Sequence, residues 1–282
     1  MSLPPEIFTI IHPYLSLHDI SSLVLTNREV NEWVDMNEVI REYYLIGYDR
    51  VNSPVLLACQ HGCINLLMYL HRTKNIIPDT AMLLAIKHGH LSIVKYLYSV
   101  NPTININSAL NLAIRAGHIP VVEYFYSVGA DPTADDDHPI RLASELGNLS
   151  VIKYLHSIGA NPFASNNHAI RLASYRGHLS VVEYLYSLGA DPTADHNCAI
   201  LFASINGHLD VIKYLCTVGA DPTAGNDSPI LEAVRHGHLD VVKYLHSAGA
   251  DITAYDNMPI QVASRHGHNF IVEYLSMHGA RL

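Results

Sequence analysis

Between residues 50 and 282 the apolar positions fall into two kinds of block that alternate along the chain. In residues 167–196 the first block places Ala169, Ile170, Leu172 and Ala173 on one face, and the second places Val181, Val182, Tyr184 and Leu185 on another. Steps of three and four are those of a helix with a buried stripe, so the pattern predicts two helices per unit. Gly177 stands between the blocks and Gly189 follows the second. Glycine there supplies the left-handed residue that ends a helix. The second helix is predicted to begin near Leu179. Its first turn carries Ser92, Ser150, Ser180, Asp210 or Asp240 at one equivalent position. Short polar or acidic residues suit a helix N-terminus, and Pro120 at the same place loses no hydrogen bond. Residues 190–195 read as an extended connection to the next pair.

The same phrase returns along the chain. Residues 177–191 are GHLSVVEYLYSLGAD and residues 237–251 are GHLDVVKYLHSAGAD. The opening glycine recurs at Gly62, Gly89, Gly117, Gly147, Gly177, Gly207, Gly237 and Gly267, at spacings of 27, 28 and then 30. That defines eight units, about 52–78, 79–106, 107–136, 137–166, 167–196, 197–226, 227–256 and 257–282. One such helix pair buries too little apolar surface to offset the entropy of ordering it. Stacking, which covers both flanks of each unit, removes that deficit. The expected architecture for residues 47–282 is therefore an all-α solenoid that forms one cooperative array. Asn269, in place of the Leu of the Gly-His-Leu phrase, marks the last unit as an end repeat.

These units resemble ankyrin repeats over roughly residues 50–282. The Gly-His and Gly-Ala-Asp phrases carry the likeness, with the helix openings Ser53-Pro54-Val55-Leu56-Leu57-Ala58, His138-Pro139-Ile140-Arg141-Leu142-Ala143 and Ser228-Pro229-Ile230-Leu231-Glu232-Ala233. The resemblance implies a protein-binding scaffold whose first helices line the concave face, with neither catalysis nor cofactor. Two departures stand out. The family unit is about 33 residues and the missing residues fall in the inter-repeat hairpin. The Thr and His at the family's helix start, which usually make hydrogen bonds between units, are mostly absent. Short-connection units of this kind are similar to the ankyrin arrays of giant DNA viruses of amoebae, which implies a host cytoplasmic setting.

Residues 1–46 lie outside the repeat. Apolar stripes fall at Ile7, Ile10, Ile11, Tyr14 and Leu15, at Ile20, Leu23 and Val24, and at Val30, Trp33 and Val34. The segment resembles an F-box, the helical motif that docks on the Skp-type adaptor of cullin–RING ubiquitin ligases. Leu3, Pro4, Glu6, Ile7, Tyr14, Leu15, Asp19, Ile20, Leu23, Arg28 and Trp33 carry the match. The candidate adaptor-binding set that the resemblance implies is Leu3, Pro4, Glu6, Ile7, Ile10, Tyr14, Leu15, Leu23 and Trp33. The alternative is that these helices only cover the apolar flank of the first repeat.

Composition narrows the function classes. The net charge is −9, and seven acidic against two basic side chains in residues 1–46 account for more than half of it. An acidic chain repels phosphate backbones, which argues against general nucleic-acid binding. No secretory leader and no membrane-length apolar run is visible. Four cysteines, Cys59, Cys63, Cys198 and Cys216, are too few to staple a chain of this length and read as free thiols. His90, His118, His178, His208, His238 and His268 belong to the repeat and lie too far apart to share a metal ion. The tyrosines Tyr69, Tyr96, Tyr124, Tyr154, Tyr184, Tyr214, Tyr244 and Tyr274 recur in the same way and read as packing. The run Asp135-Asp136-Asp137 lacks the rest of a calcium loop and reads as a solvated turn. No nucleophile elbow, phosphate loop or carboxylate pair points to an enzyme.

What remains is the set of positions that vary while their neighbours repeat. Two lie just before each glycine: Gln60, Lys87, Arg115, Glu145, Tyr175, Ile205, Arg235 and Arg265, then His61, His88, Ala116, Leu146, Arg176, Asn206, His236 and His266. The candidate partner-binding residues are Glu145, Leu146, Tyr175, Arg176, Ile205 and Asn206, with Arg235 and Arg265 reaching an acidic portion of the partner. Aromatic and arginine anchors are the usual centres of binding energy. The expected form is a monomer that binds another protein.

Overall fold

The structure, a computed structural model, describes residues 54–74 and 77–282. The described residues form sixteen helices in eight consecutive pairs: α1 (Pro54–His61) and α2 (Ile64–Lys74), α3 (Thr80–Lys87) and α4 (Leu91–Val100), α5 (Ile106–Ala116) and α6 (Ile119–Ser127), α7 (Ala134–Glu145) and α8 (Leu149–Ser157), α9 (Ala164–Arg176) and α10 (Leu179–Ser187), α11 (Ala194–Ile205) and α12 (Leu209–Thr217), α13 (Ala224–Arg235) and α14 (Leu239–Ser247), α15 (Ala254–Arg265) and α16 (Asn269–Met277). The architecture is all-α, built of stacked helix pairs. The chain divides into two compact units, residues 1–112 and 113–282, with the division inside α5. The glycines at irregular spacing, Gly62 and Gly89, belong to the first unit, and the strict thirty-residue register belongs to the second.

In the first unit α1 packs on α2 and α3, α3 on α4, and α2 on α4. In the second, α7, α9, α11, α13 and α15 form one row of neighbours, and α6, α8, α10, α12, α14 and α16 form the other. The core lies between the rows. Val181, Val182 and Leu185 of α10 are fully buried, as are Val211, Ile212 and Leu215 of α12. The opposing first helices supply Ala173, Ala203, Ala233 and Ala263, whose small side chains let neighbouring helices approach closely. Ser144, Ser174 and Ser204 are buried beside them. Each hydroxyl donates at 2.8 Å to the carbonyl four residues back, so none of these three serines is stranded.

The Gly-His phrase makes the joints between repeats. Gly177 caps α9 in the left-handed region at φ +77°. The ring of His208, from the next repeat, lies directly over it, and its Nε2 donates to the carbonyl of Tyr175 at 3.1 Å. The same bond runs from His90 to Gln60 (2.7 Å), His178 to Glu145 (3.0 Å), His238 to Ile205 (3.0 Å) and His268 to Arg235 (3.0 Å). Because a carbonyl only accepts, Nε2 carries the proton in each. Asn148 replaces the histidine in the fourth repeat, and its Nδ2 donates to the Ile114 carbonyl at 2.6 Å. His208→Ala therefore removes the donor and leaves a partly buried carbonyl unmatched, at a cost of about 1–3 kcal/mol. His208→Asn is expected to keep only part of that stability, because the shorter Asn148 side chain bonds one carbonyl earlier, at Ile114, three residues before its glycine instead of two. Urea midpoints of the two variants check this.

The connections correct the expectation of an extended tract. After a turn, each first helix from α7 onward opens with three residues in the left-handed region: 135–137, 165–167, 195–197, 225–227 and 255–257, all with φ between 52° and 63°. Asn and Asp are the side-chain-bearing residues that best tolerate this conformation, and they fill most of these places. The third residue does a second job. Its Oδ1 accepts the backbone N–H of a residue in the following connection: Asp137 from Asn161 (2.7 Å), Asn167 from Asp191 (3.1 Å), Asn197 from Asp221 (2.9 Å), Asp227 from Asp251 (3.0 Å) and Asn257 from Arg281 (3.0 Å). Asp137 is thus not a solvated turn residue: it is buried, at 8% exposure. These bonds tie one connection to the next without the family's usual Thr and His at the helix start.

The last helix also differs from expectation. Asn269 is exposed, but the Leu it replaces is only half-buried in α10, α12 and α14. Phe270 and Met277 of α16 stand 77% and 76% exposed, so this helix does not present the polar outer face of a capping repeat.

Candidate functional site: the first-helix face of the second unit

The row α7, α9, α11, α13 and α15 carries every predicted partner-binding residue at equivalent places. Glu145, Ile205, Arg235 and Arg265 are the last residues of α7, α11, α13 and α15; Tyr175 and Arg176 end α9, and Leu146 and Asn206 follow α7 and α11. Arg176, Arg235 and Arg265 are exposed, and the other five are half-buried. The carbonyls of Glu145, Tyr175, Ile205 and Arg235 are the ones that accept the inter-repeat histidine bonds. Backbone position in this column is therefore held from the next repeat, whatever side chain stands there.

The structure joins several of these residues into pairs. Arg176 bonds Glu145 at 2.6 Å across two repeats, and its guanidinium lies 5.3 Å from the centre of the Tyr175 ring. The Glu145 hydrogen bond is the main reason the Arg176 guanidinium holds its proton more firmly than usual. Tyr175 in turn meets Phe202 edge to face at 5.9 Å. Further along, Arg235 bonds Glu232 at 2.6 Å. Arg265 is exposed and makes no ion pair with the described residues.

The sequence reading missed part of this face. Six and five residues before each glycine stand two more variable columns: Arg141, Arg171, Leu201, Leu231 and Gln261, then Leu142, Leu172, Phe202, Glu232 and Val262. Their variation is visible in the sequence, but the second column, that of Leu172, falls in the predicted buried stripe, and the first carries no assignment there. Arg171 pairs with Asp195 and also donates to the Ser165 carbonyl at 3.1 Å. Arg141 donates to the Asp135 carbonyl at 2.8 Å and approaches Nδ1 of His168. Burial, then the Arg171 and Arg141 charges, lower the pKa of His168 and favour its neutral form.

The other periodic residues are structural. Tyr154, Tyr184, Tyr214, Tyr244 and Tyr274 are half-buried along the second-helix row. Burial raises the phenol pKa of Tyr154, Tyr214, Tyr244 and Tyr274. Lysines of the preceding repeat sit over three of these rings: Lys153 over Tyr184 at 5.4 Å, and Lys213 and Lys243 over Tyr244 and Tyr274 at 5.9 Å. His246 Nδ1 hydrogen-bonds the Tyr274 hydroxyl at 2.8 Å. In the connections, Asp131 and Asp251 are held below the usual carboxylate range by hydrogen bonds from Thr133 and Thr253. Cys59 is buried and its thiol is pushed up to about 12, which keeps it protonated and unreactive. Among the described residues, no group of three or more His, Cys, Asp or Glu is gathered to hold a metal ion, and no helix is long and apolar enough to cross a membrane. The candidate adaptor-binding residues Leu3, Pro4, Glu6, Ile7, Ile10, Tyr14, Leu15, Leu23 and Trp33 lie outside the described residues.

A row of parallel first helices, each ending in variable side chains on a fixed backbone, defines a helical-repeat interaction scaffold. The family model for ankyrin repeats, written for three copies, matches residues 55–136, 110–196, 140–226 and 200–282, and the chain belongs to that family. No curated protein matches the chain.

Proposed function

We propose that the chain is a receptor that holds another protein on the first-helix face of repeats four to six and presents it, through residues 1–46, to a cullin–RING ubiquitin ligase in the cytoplasm. The observation that carries the binding half is the cluster Glu145–Arg176–Tyr175–Phe202. It is an ion pair, a stacked guanidinium and an aromatic edge, assembled from three consecutive repeats on a face the core does not need. Leu146, Ile205 and Asn206 flank it, and Arg235 and Arg265 extend it. Removing Tyr175 and Arg176 together is expected to abolish capture of the partner, since truncating a central aromatic or arginine anchor costs about 2 kcal/mol or more. A pull-down comparing wild type with the Tyr175→Ala/Arg176→Ala variant reads this directly, and unchanged capture rejects the site.

The ligase half rests on the F-box-like residues of the N-terminal segment. The full chain is expected to co-purify the Skp-type adaptor and to lose it on Leu3→Ala/Pro4→Ala. An adaptor that never binds removes the ligase link and leaves a plain ankyrin scaffold or decoy.

A further inference from the structure

We infer that the bound segment has a two-part chemistry: a bulky apolar anchor seated at repeats five and six, and a carboxylate cluster two to three repeats further along, at Arg265. The inference rests on the receptor reading above and specifies what the receptor selects.

The anchor seat follows from comparing repeats at three equivalent positions: six, five and two residues before the glycine. The fourth repeat has Arg141, Leu142 and Glu145; the fifth has Arg171, Leu172 and Tyr175. The sixth has Leu201, Phe202 and Ile205, and is the one repeat of the second unit's first-helix row, α7 to α15, with an apolar residue at all three. The seventh has Leu231, Glu232 and Arg235; the eighth has Gln261, Val262 and Arg265. Leu172, Tyr175, Leu201, Phe202, Ile205 and Leu231 are therefore neighbours on adjacent helices, and all six are half-buried. The fold does not demand apolar residues there, since other repeats place Arg, Glu or Gln at the same positions. An apolar group settling over them would displace water from six side chains that the scaffold leaves partly wet.

The charge pattern fixes the second part. Around the anchor seat the cations are already matched: Arg171 by Asp195, Arg176 by Glu145 and Arg235 by Glu232. These pairs rim the apolar seat and add no net attraction for a charge. Past them the balance changes. Arg265 is exposed, makes no ion pair with the described residues, and is followed by the exposed His266. An unmatched cation on the same row of helices as a wet apolar seat favours a partner that brings its own carboxylates. Packed helices repeat at about 10 Å, so Arg265 lies about 20–30 Å from the seat. An extended chain covers that span in about six to nine residues.

The test is selection of random sixteen-residue peptides displayed on phage against the full chain. Soluble copies of the enriched peptides are then measured by fluorescence anisotropy on wild type, Tyr175→Ala and Arg265→Glu. Arg265 is exposed, so its reversal leaves the fold intact, and circular dichroism confirms this for both variants. The expected peptides carry Trp, Phe, Leu or Ile together with acidic residues six to nine positions away. Tyr175→Ala and Arg265→Glu are each expected to weaken them about tenfold or more. Exchanging the peptide's Glu or Asp for Lys is expected to restore binding to Arg265→Glu. Peptides that need Tyr175 but carry no acidic residues, or that ignore Arg265→Glu, overturn the two-part chemistry and leave the receptor reading standing. Peptides indifferent to both residues, or no enrichment, overturn the inference, and the partner pull-down then decides the receptor reading separately.

Discussion

Gly177→Ala is expected to cost the second unit about 3 kcal/mol or more, out of proportion to the single methyl group it adds. Two penalties add at this site. The backbone sits at φ +77°, where a side chain costs about 1–2 kcal/mol. The new Cβ would also overlap the His208 ring, which cannot retreat without losing its bond to the Tyr175 carbonyl. Overpacking of this kind adds about 1–3 kcal/mol. Gly267→Ala is the internal control. Its φ is +75°, yet nothing lies within 4 Å of the added Cβ, so only the backbone term of about 1–2 kcal/mol remains. Urea unfolding of both variants separates the terms. Equal losses would mean that the histidine ring is not a fixed obstacle.

The second large effect is expected at Asn197. Alanine there loses tolerance for the left-handed conformation (φ 61°) and also the acceptor for the Asp221 N–H, for a combined loss of about 2–3 kcal/mol. Asn197→Gly keeps the conformation and loses only the bond, so it should cost about half as much or less. Asn197→Asp keeps both and should be close to neutral. If Ala and Gly prove equally damaging, the left-handed turn is not what selects Asn here.

Much of this architecture was legible in the sequence because the repeat averages out local ambiguity. The glycine spacing gave the units, the two apolar stripes gave the helices, and Leu179 was placed at the start of the second helix, where α10 begins. The connection was misread for an equally physical reason. Three consecutive left-handed residues are rare, and a tract such as Ala-Asp-Pro-Thr-Ala-Asp has no periodicity to betray them. The signal that could have shown them was the third position, Asp137, Asn167, Asn197, Asp227 and Asn257, which is always Asn or Asp while its neighbours vary. The histidine bonds were hidden because the acceptor is a backbone carbonyl, which leaves no trace in sequence. The one available hint was Asn148, another N–H donor, standing in for His. On the candidate face, the columns just before each glycine were readable as variable. Phe202, in the register of Leu172, was not separated from the core, because an apolar residue at a helix position looks the same whether it faces the next helix or a partner.

The histidine-to-carbonyl joint also bears on how such a chain changes over generations. Each histidine joint uses one imidazole, one glycine and one main-chain oxygen, and none of these depends on the neighbouring repeat's individuality. A thirty-residue block copied, deleted or exchanged by recombination would meet the same three elements on either side. New recognition surfaces can therefore arise by reshuffling whole blocks, with foldability inherited from the joint and novelty confined to the few side chains above it.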